Sequence, residues 1–189
     1  LVLTFLKGIF LNLAKELLKI LTMNKEFLYS PWRLNYIEGE KTDDCILCRY
    51  QEMDKDEENL IVYRGKHCYV MLNRYPYNNG HIMLVPYLHL KSLHELPSEV
   101  IEDLGSLCQL SEKVLIAAYN CEGINVGINL GRAAGAGIDE HLHIHMVPRW
   151  IGDSNFMSVI GGQRVIPEAF EKSWQRLHQE FIYQLQLKK

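Results

Sequence analysis

The sequence predicts an α+β domain, an antiparallel sheet of about five strands carrying one long helix and a C-terminal helix. Short apolar runs bounded by turn residues fill the middle of the chain, while two longer stretches repeat their apolar residues at helical spacing. These elements do not alternate as strand–helix–strand units, so a doubly wound parallel sheet is not expected. At 189 residues the chain is long enough for one domain with a real core.

Along residues 1–22, Leu3, Leu6, Phe10, Leu13, Leu17 and Leu21 recur at helical spacing, interrupted by Lys7, Asn12, Lys15, Glu16 and Lys19. The stretch is too charged to span a bilayer and lacks a cleavage site of small residues. It reads as an amphipathic extension able to touch a membrane surface, or as sequence upstream of a native start at Met23, with residues 23–189 as the single domain. Tyr29-Ser30-Pro31-Trp32-Arg33 is an irregular opening segment, and residues 38–59 are an acidic surface excursion around Cys45-Ile46-Leu47-Cys48. Strands are expected at 60–63 and 67–72. Asn73 to Gly80 carries Pro76, two further asparagines and a glycine, so it should turn the chain into a third strand at 81–86, making an antiparallel hairpin.

Pro97-Ser98-Glu99 opens the long helix, whose stripe is Val100, Ile101, Leu104, Leu107, Cys108, Ser111, Val114, Leu115 and Ala118. A fourth strand follows at 124–130, then the glycine-rich loop Gly131–Gly137. A fifth carries His141-Leu142-His143-Ile144-His145 and closes at Pro148. Residues 167–187 give the terminal helix, with Phe170, Trp174, Leu177, Phe181 and Leu185 on its inner face.

In a strand, alternate side chains leave the same face, so the three histidines point one way while Leu142, Ile144 and Met146 enter the core. Imidazoles can act as nucleophile, metal ligand or proton donor near neutral pH. Gly135-Ala136-Gly137 permit close backbone approach and an anion-binding concavity, although no G-K-[ST] follows and a plain turn is also consistent. The net charge is −3 and no lysine- or arginine-rich run supplies a nucleic-acid footprint. Five cysteines cannot all pair; Cys68, Cys108 and Cys121 lie in apolar patterns and read as buried thiols, which suits a reducing cytoplasm.

Leu72-Asn73-Arg74-Tyr75-Pro76-Tyr77-Asn78-Asn79-Gly80-His81, Asn129-Leu130-Gly131 and His141-Leu142-His143-Ile144-His145-Met146-Val147-Pro148-Arg149-Trp150 together resemble the histidine-triad (HIT) superfamily. The likeness runs from about Ser30 to Glu168. Residues 131–137 and Gly152-Asp153-Ser154-Asn155-Phe156-Met157 are similar to its diadenosine tetraphosphate phosphorylase, or ATP adenylyltransferase, branch. The resemblance implies a HIT-like fold, a homodimer and a covalent AMP-His143 intermediate, with His145 assisting at the phosphates. It also implies contacts from Asn129 to the α-phosphate and from Asn73 to ribose. Met71 and Met83 are candidates for the adenine pocket, and Arg149, Trp150 and Asn155 for the distal phosphates or second nucleoside.

Zinc-bearing relatives imply a structural Cys₂His₂ site of Cys45, Cys48, His89 and His141, with His94 as the rival third ligand. The leading expectation is cleavage of diadenosine tetraphosphate by inorganic phosphate to ATP and ADP. The alternatives are hydrolysis of dinucleoside polyphosphates or nucleoside phosphoramidates by water, and a zinc-stabilised nucleotide-binding module whose partner contacts matter more than turnover.

Overall fold

A computed structural model of the protein describes residues 45–153, 166 and 168–187. The amphipathic stretch 1–22, the division at Met23, the segment 29–33 and Asn155 lie outside the described residues. The described elements are α1 (Ile46–Glu52), α2 (Asp56–Asn59), β1 (Ile61–Arg64), β2 (Cys68–Leu72), β3 (Ile82–Pro86), α3 (Ser98–Tyr119), β4 (Gly123–Ile128), β5 (Ile144–Arg149) and α4 (Phe170–Gln186), with short 3₁₀ turns at Leu93–Glu95 and Arg132–Ala134. The expected acidic excursion therefore contains two short helices. The strands form one five-stranded antiparallel sheet in the order β1-β2-β3-β5-β4, as expected for an α+β domain.

Strand periodicity sorts the side chains onto two cores. Cys68, Val70 and Leu72 of β2, Ile82 and Leu84 of β3, and Leu142, Ile144 and Met146 around β5 meet α3 and α4 on one face. Tyr69, Met71, Met83 and Val85 face the other way, where Leu47 of α1 and Ile61 complete a smaller core. The buried stripe of α3 is Val100, Leu104, Leu107, Leu110, Ser111, Val114 and Leu115. Ile101, expected inside, is exposed, and Leu110 takes the inner position, a one-step rotation of the stripe.

Helix α4 closes the β1 edge. A bulge-like register shift between Ile61 and Tyr63 turns successive carbonyls outward. Trp174 Nε1 donates to Ile61 O at 2.8 Å, and His178 Nδ1 donates to Val62 O at 2.9 Å. The stacked Tyr63 and Phe181 rings, 5.2 Å apart, fix the same contact. Side-chain donors thus occupy groups that would otherwise template another strand.

Gly80 ends the β2–β3 turn at φ +71°, a conformation that favours glycine. A Cβ there would stand 2.5 Å from the Tyr119 ring. The turn therefore sits directly on the last residue of α3.

Candidate active site

Ladder pairing of β5 begins at Ile144, so His145 lies within the strand while His141 and His143 occupy the extended segment just before it. Side-chain alternation still holds, because Leu142 and Ile144 enter the α3-side core. The register sets one row across the opposite face: Ile61, Met71, Met83, His145 and Gly127 are successive cross-strand partners. Met71 and Met83 thus lie beside the histidines, both buried. Gly127 contributes no side chain next to His145, and a Cβ there would meet nothing within 4 Å.

Backbone partners decide the tautomers. His143 Nδ1 lies 2.8 Å from the carbonyl of His141 and must donate to it, which leaves the lone pair on Nε2. Burial lowers the pKa of His143, so this ring is a neutral base. The amide of Tyr77 donates to His81 Nδ1 at 3.0 Å, so the His81 proton sits on Nε2. That nitrogen is 3.0 Å from His145 Nδ1, which accepts. His145 therefore carries its own proton on Nε2. Burial, then the neighbouring His145 and His143, push His81 down to about 3, and burial with His143 brings His145 to about 4. The His143 and His145 rings meet edge to face, 4.8 Å between centroids. A neutral lone pair and a neutral N–H donor thus stand side by side on one rigid face.

The other candidate contacts are distributed around this pair. Asn73 is buried in the turn, its Oδ1 accepting from the Tyr75 amide at 2.9 Å and its amide nitrogen 3.4 Å from His81 Nε2. Asn129 is one residue beyond Ile128, which pairs with Ile144, so the register brings it level with His143. In the glycine-rich loop, the Gly135 amide donates to Arg132 O at 2.9 Å and the Ala136 amide reaches Gly131 O at 3.4 Å. Those amides close the loop on itself, and Arg132 pairs with Asp139 at 2.7 Å. Arg149 is held by Asp153 through two bonds, at 2.6 and 2.8 Å, and by Asn125 at 2.8 Å, while Trp150 packs against the α3-side core.

A second cluster adjoins the first. Cys45, Cys48, His89 and His141 bring one ligand atom each within 4.8 Å of one another. His141 Nδ1 is 3.3 Å from Cys45 Sγ and 3.5 Å from Cys48 Sγ, and His89 Nδ1 is 3.3 Å from Cys48 Sγ. Tetrahedral bonds of about 2.3 Å to sulfur and 2.0–2.1 Å to nitrogen separate S and N by about 3.5 Å. His141 donates Nε2–H to Pro86 O at 2.9 Å, so Nδ1 holds the lone pair a metal needs. Burial and the adjacent Cys45 push the Cys48 thiol up to about 11, so a cation is needed to hold Cys48 as a thiolate near neutral pH. The donor set fits a divalent metal. His94 lies in the Leu93–Glu95 turn, outside this set.

Residues 54–150 match the HIT domain family. The chain belongs to the HIT family. An AP-4-A phosphorylase of Mycobacterium tuberculosis is 38% identical over 165 residues, covering 83% of this chain and 85% of that protein. The adenylylsulfatase HINT3 of Arabidopsis thaliana is 31% identical over 107 residues, 57% of this chain and 53% of that protein. Among solved structures, a Zn-bound histidine triad family protein from Mycobacterium smegmatis shares the fold at a TM-score of 0.62, with 24% identity over 78% of this chain and 99% of that one. Plasmodium falciparum diadenosine triphosphate hydrolase matches at a TM-score of 0.55 and 25% identity, covering 71% and 80%.

In this HIT chain His81 is a further residue of the histidine cluster that the sequence does not mark as functional. It stood as the first residue of a strand, although Gly80-His81 after a long polar turn was a usable signal. Only the pairing of β3 with β5 carries it to His145.

Proposed function

We propose that this HIT protein is a nucleotidyltransferase that cleaves diadenosine tetraphosphate with inorganic phosphate, giving ATP and ADP through AMP-His143. The observation that carries the reading is the His143–His141 bond, which commits the His143 lone pair to Nε2 beside a proton-bearing His145 Nε2. His143 Nε2 attacks the α-phosphorus, the bond from that phosphorus to the bridging oxygen breaks, and ATP departs. His145 donates its Nε2–H to the departing oxygen, with His81 behind it. A phosphate oxygen then attacks the same phosphorus, the P–N bond breaks, and ADP leaves. On this reading Met71 and Met83 form the floor under adenine, and Asn73, Asn129 and Asn155 contact ribose and phosphates, while the Gly135 and Ala136 amides stay engaged within their own loop. The relation to the AP-4-A phosphorylase supports the acceptor.

Zinc held by Cys45, Cys48, His89 and His141 would supply a structural cross-link, tying α1 to the histidine segment. The homodimer is part of the same proposal. It is supported by β4, a sheet edge that pairs outward with no strand among the described residues and exposes Val126. The free thiols fit a cytoplasmic setting. No helix among the described residues is long and apolar enough to cross a membrane.

Relatives named bis(5'-adenosyl)-triphosphatase, 31% identical over 91 residues, favour water as the competing acceptor. Product analysis separates the two. ADP formed from diadenosine tetraphosphate only when phosphate is present supports the proposal, whereas AMP formed without phosphate assigns the hydrolase. His143→Ala should abolish adenylylated protein and retain nucleotide binding; undiminished cleavage by that variant would sink the mechanism.

A further inference from the structure

The turn Asn73–His81 carries the group that orients His145, and something must keep that turn closed. Its main chain is fastened at both ends, with the Asn73 amide on His81 O at 2.8 Å and the His81 amide on Asn78 O at 3.2 Å. A further restraint is a side chain. Asn78 Nδ2 donates to Pro148 O at 3.1 Å and to Asp153 Oδ2 at 3.0 Å, while its Oδ1 accepts from the Asn79 amide at 3.1 Å. Pro148 belongs to β5, three residues after His145. Asp153 is itself gripped by Arg149 and by the Trp150 amide at 3.3 Å, and Arg149 reaches across to Asn125 on β4. This half-buried amide therefore ties the turn to the strand that carries His145, beside the Tyr77 ring, whose centroid lies 6.0 Å from that of His145.

We infer that Asn78 is a positioning residue that fixes which nitrogen of His145 bears the proton, acting through the Tyr77 amide and His81. The reason is a polarity argument. The Tyr77 amide on Nδ1 commits the His81 proton to Nε2, because the contact between His81 Nε2 and His145 Nδ1 is satisfied by a proton on either ring. A turn that relaxes away from β5 loses that donor, and His81 becomes free to hold the proton on Nδ1. Its Nε2 lone pair would then face the lone pair of His145 Nδ1, 3.0 Å away. His145 escapes by moving its proton to Nδ1, which exposes a lone pair to the substrate. The residue then presents an acceptor where the leaving group needs a donor.

The inference deepens the nucleotidyltransferase reading and rests on it for its kinetic consequence. Asn78→Ala should therefore act on leaving groups that need a proton and spare those that do not. With an adenosine 5′-phosphoramidate of a primary amine, kcat should fall about 10–100-fold, a partial loss against the roughly 10²–10⁴-fold that a positioned general acid contributes, with KM nearly constant. With adenosine 5′-p-nitrophenyl phosphate, whose leaving group departs as an anion, the rate should stay within about 3-fold of the parent protein. Nitrogen-15 spectra of the imidazoles should show His81 and His145 losing their single Nε2–H forms. Asp153→Asn keeps an acceptor for Asn78 and removes the charge that Arg149 grips. It should give the same pattern at smaller size, and it serves as the test variant if Asn78→Ala does not fold. Equal losses on both substrates, or unchanged His81 and His145 tautomers in a folded variant, overturn the inference. The tautomer spectra need no turnover, so they remain decisive even if no AMP transfer to His143 occurs, which would defeat the reaction reading alone.

Discussion

Gly80 links packing to chemistry through a single missing methyl group. It adopts φ +71° against the Tyr119 ring and immediately precedes His81. Gly80→Ala combines a strained backbone with a 2.5 Å clash, so either the ring or the turn must move. We expect a loss of about 1–3 kcal/mol, read as a lower denaturant midpoint at unchanged slope, together with reduced turnover. A variant with parental stability would show that the turn is not seated on α3 as described. At this scale the sequence was informative wherever chemistry is local. His143 and His145 are placed on one face by period two alone, whereas Cys45 and Cys48 are marked as candidate ligands only through the resemblance to zinc-bearing relatives. His81 could not be found that way, because its partner stands 64 residues away.

Helix α1 shows what a short element needs to stay in place. Seven residues cannot hold a helix by propensity. Leu47 is buried in the smaller core, its carbonyl accepts from Tyr69 Oη at 2.9 Å, and Gln51 O accepts from Arg64 at 2.8 Å. The cysteines at its first turn add the remaining fastening if they hold zinc. Chelation should then lower Tm by about 5–10 °C, since each 1 kcal/mol shifts a domain of this size by roughly 2–4 °C. Zinc(II) should restore it, and Cys48→Ser should melt at one temperature with or without chelator. Identical melting of the parent protein before and after chelation would exclude the site. Over residues 45–59 the expected excursion is two short helices that the sequence does not announce, because an acidic stretch with few apolar residues gives little helical period to read. The stripe of α3 shows the same limit. Ile101 and Leu110 are equally apolar in sequence, and only the sheet decides which turns inward.

Across the whole molecule, buried neutral imidazoles make stability depend on pH. His81 is held at about 3 and His145 at about 4 by burial, against an ordinary value of 6.5. Below pH 6.5 the unfolded chain takes up protons at these positions while the folded protein does not. Stability is therefore fully present above pH 6.5 and falls progressively as pH drops toward 4 and then 3. Each unit is worth about 1.4 kcal/mol per group, so between pH 7 and pH 5 we expect a loss of about 2–4 kcal/mol. Denaturant titrations at the two values measure it, and a flat profile would contradict the burial of these rings. The overall plan, five antiparallel strands with two helices, was legible because short apolar runs and long periodic ones are distinct in the sequence. The strand order was not, since β5 inserts between β3 and β4.

His141 belongs to both constellations, but with different atoms. Its ring nitrogen faces the cysteines, whereas its main-chain carbonyl receives the His143 proton. Every residue type carries that carbonyl. Replacing His141 can thus remove one member of the Cys/His cluster and leave the partner of the proposed nucleophile in place. The two properties are separable by mutation, so a chain of this fold is free to lose the cluster and keep the His143 tautomer.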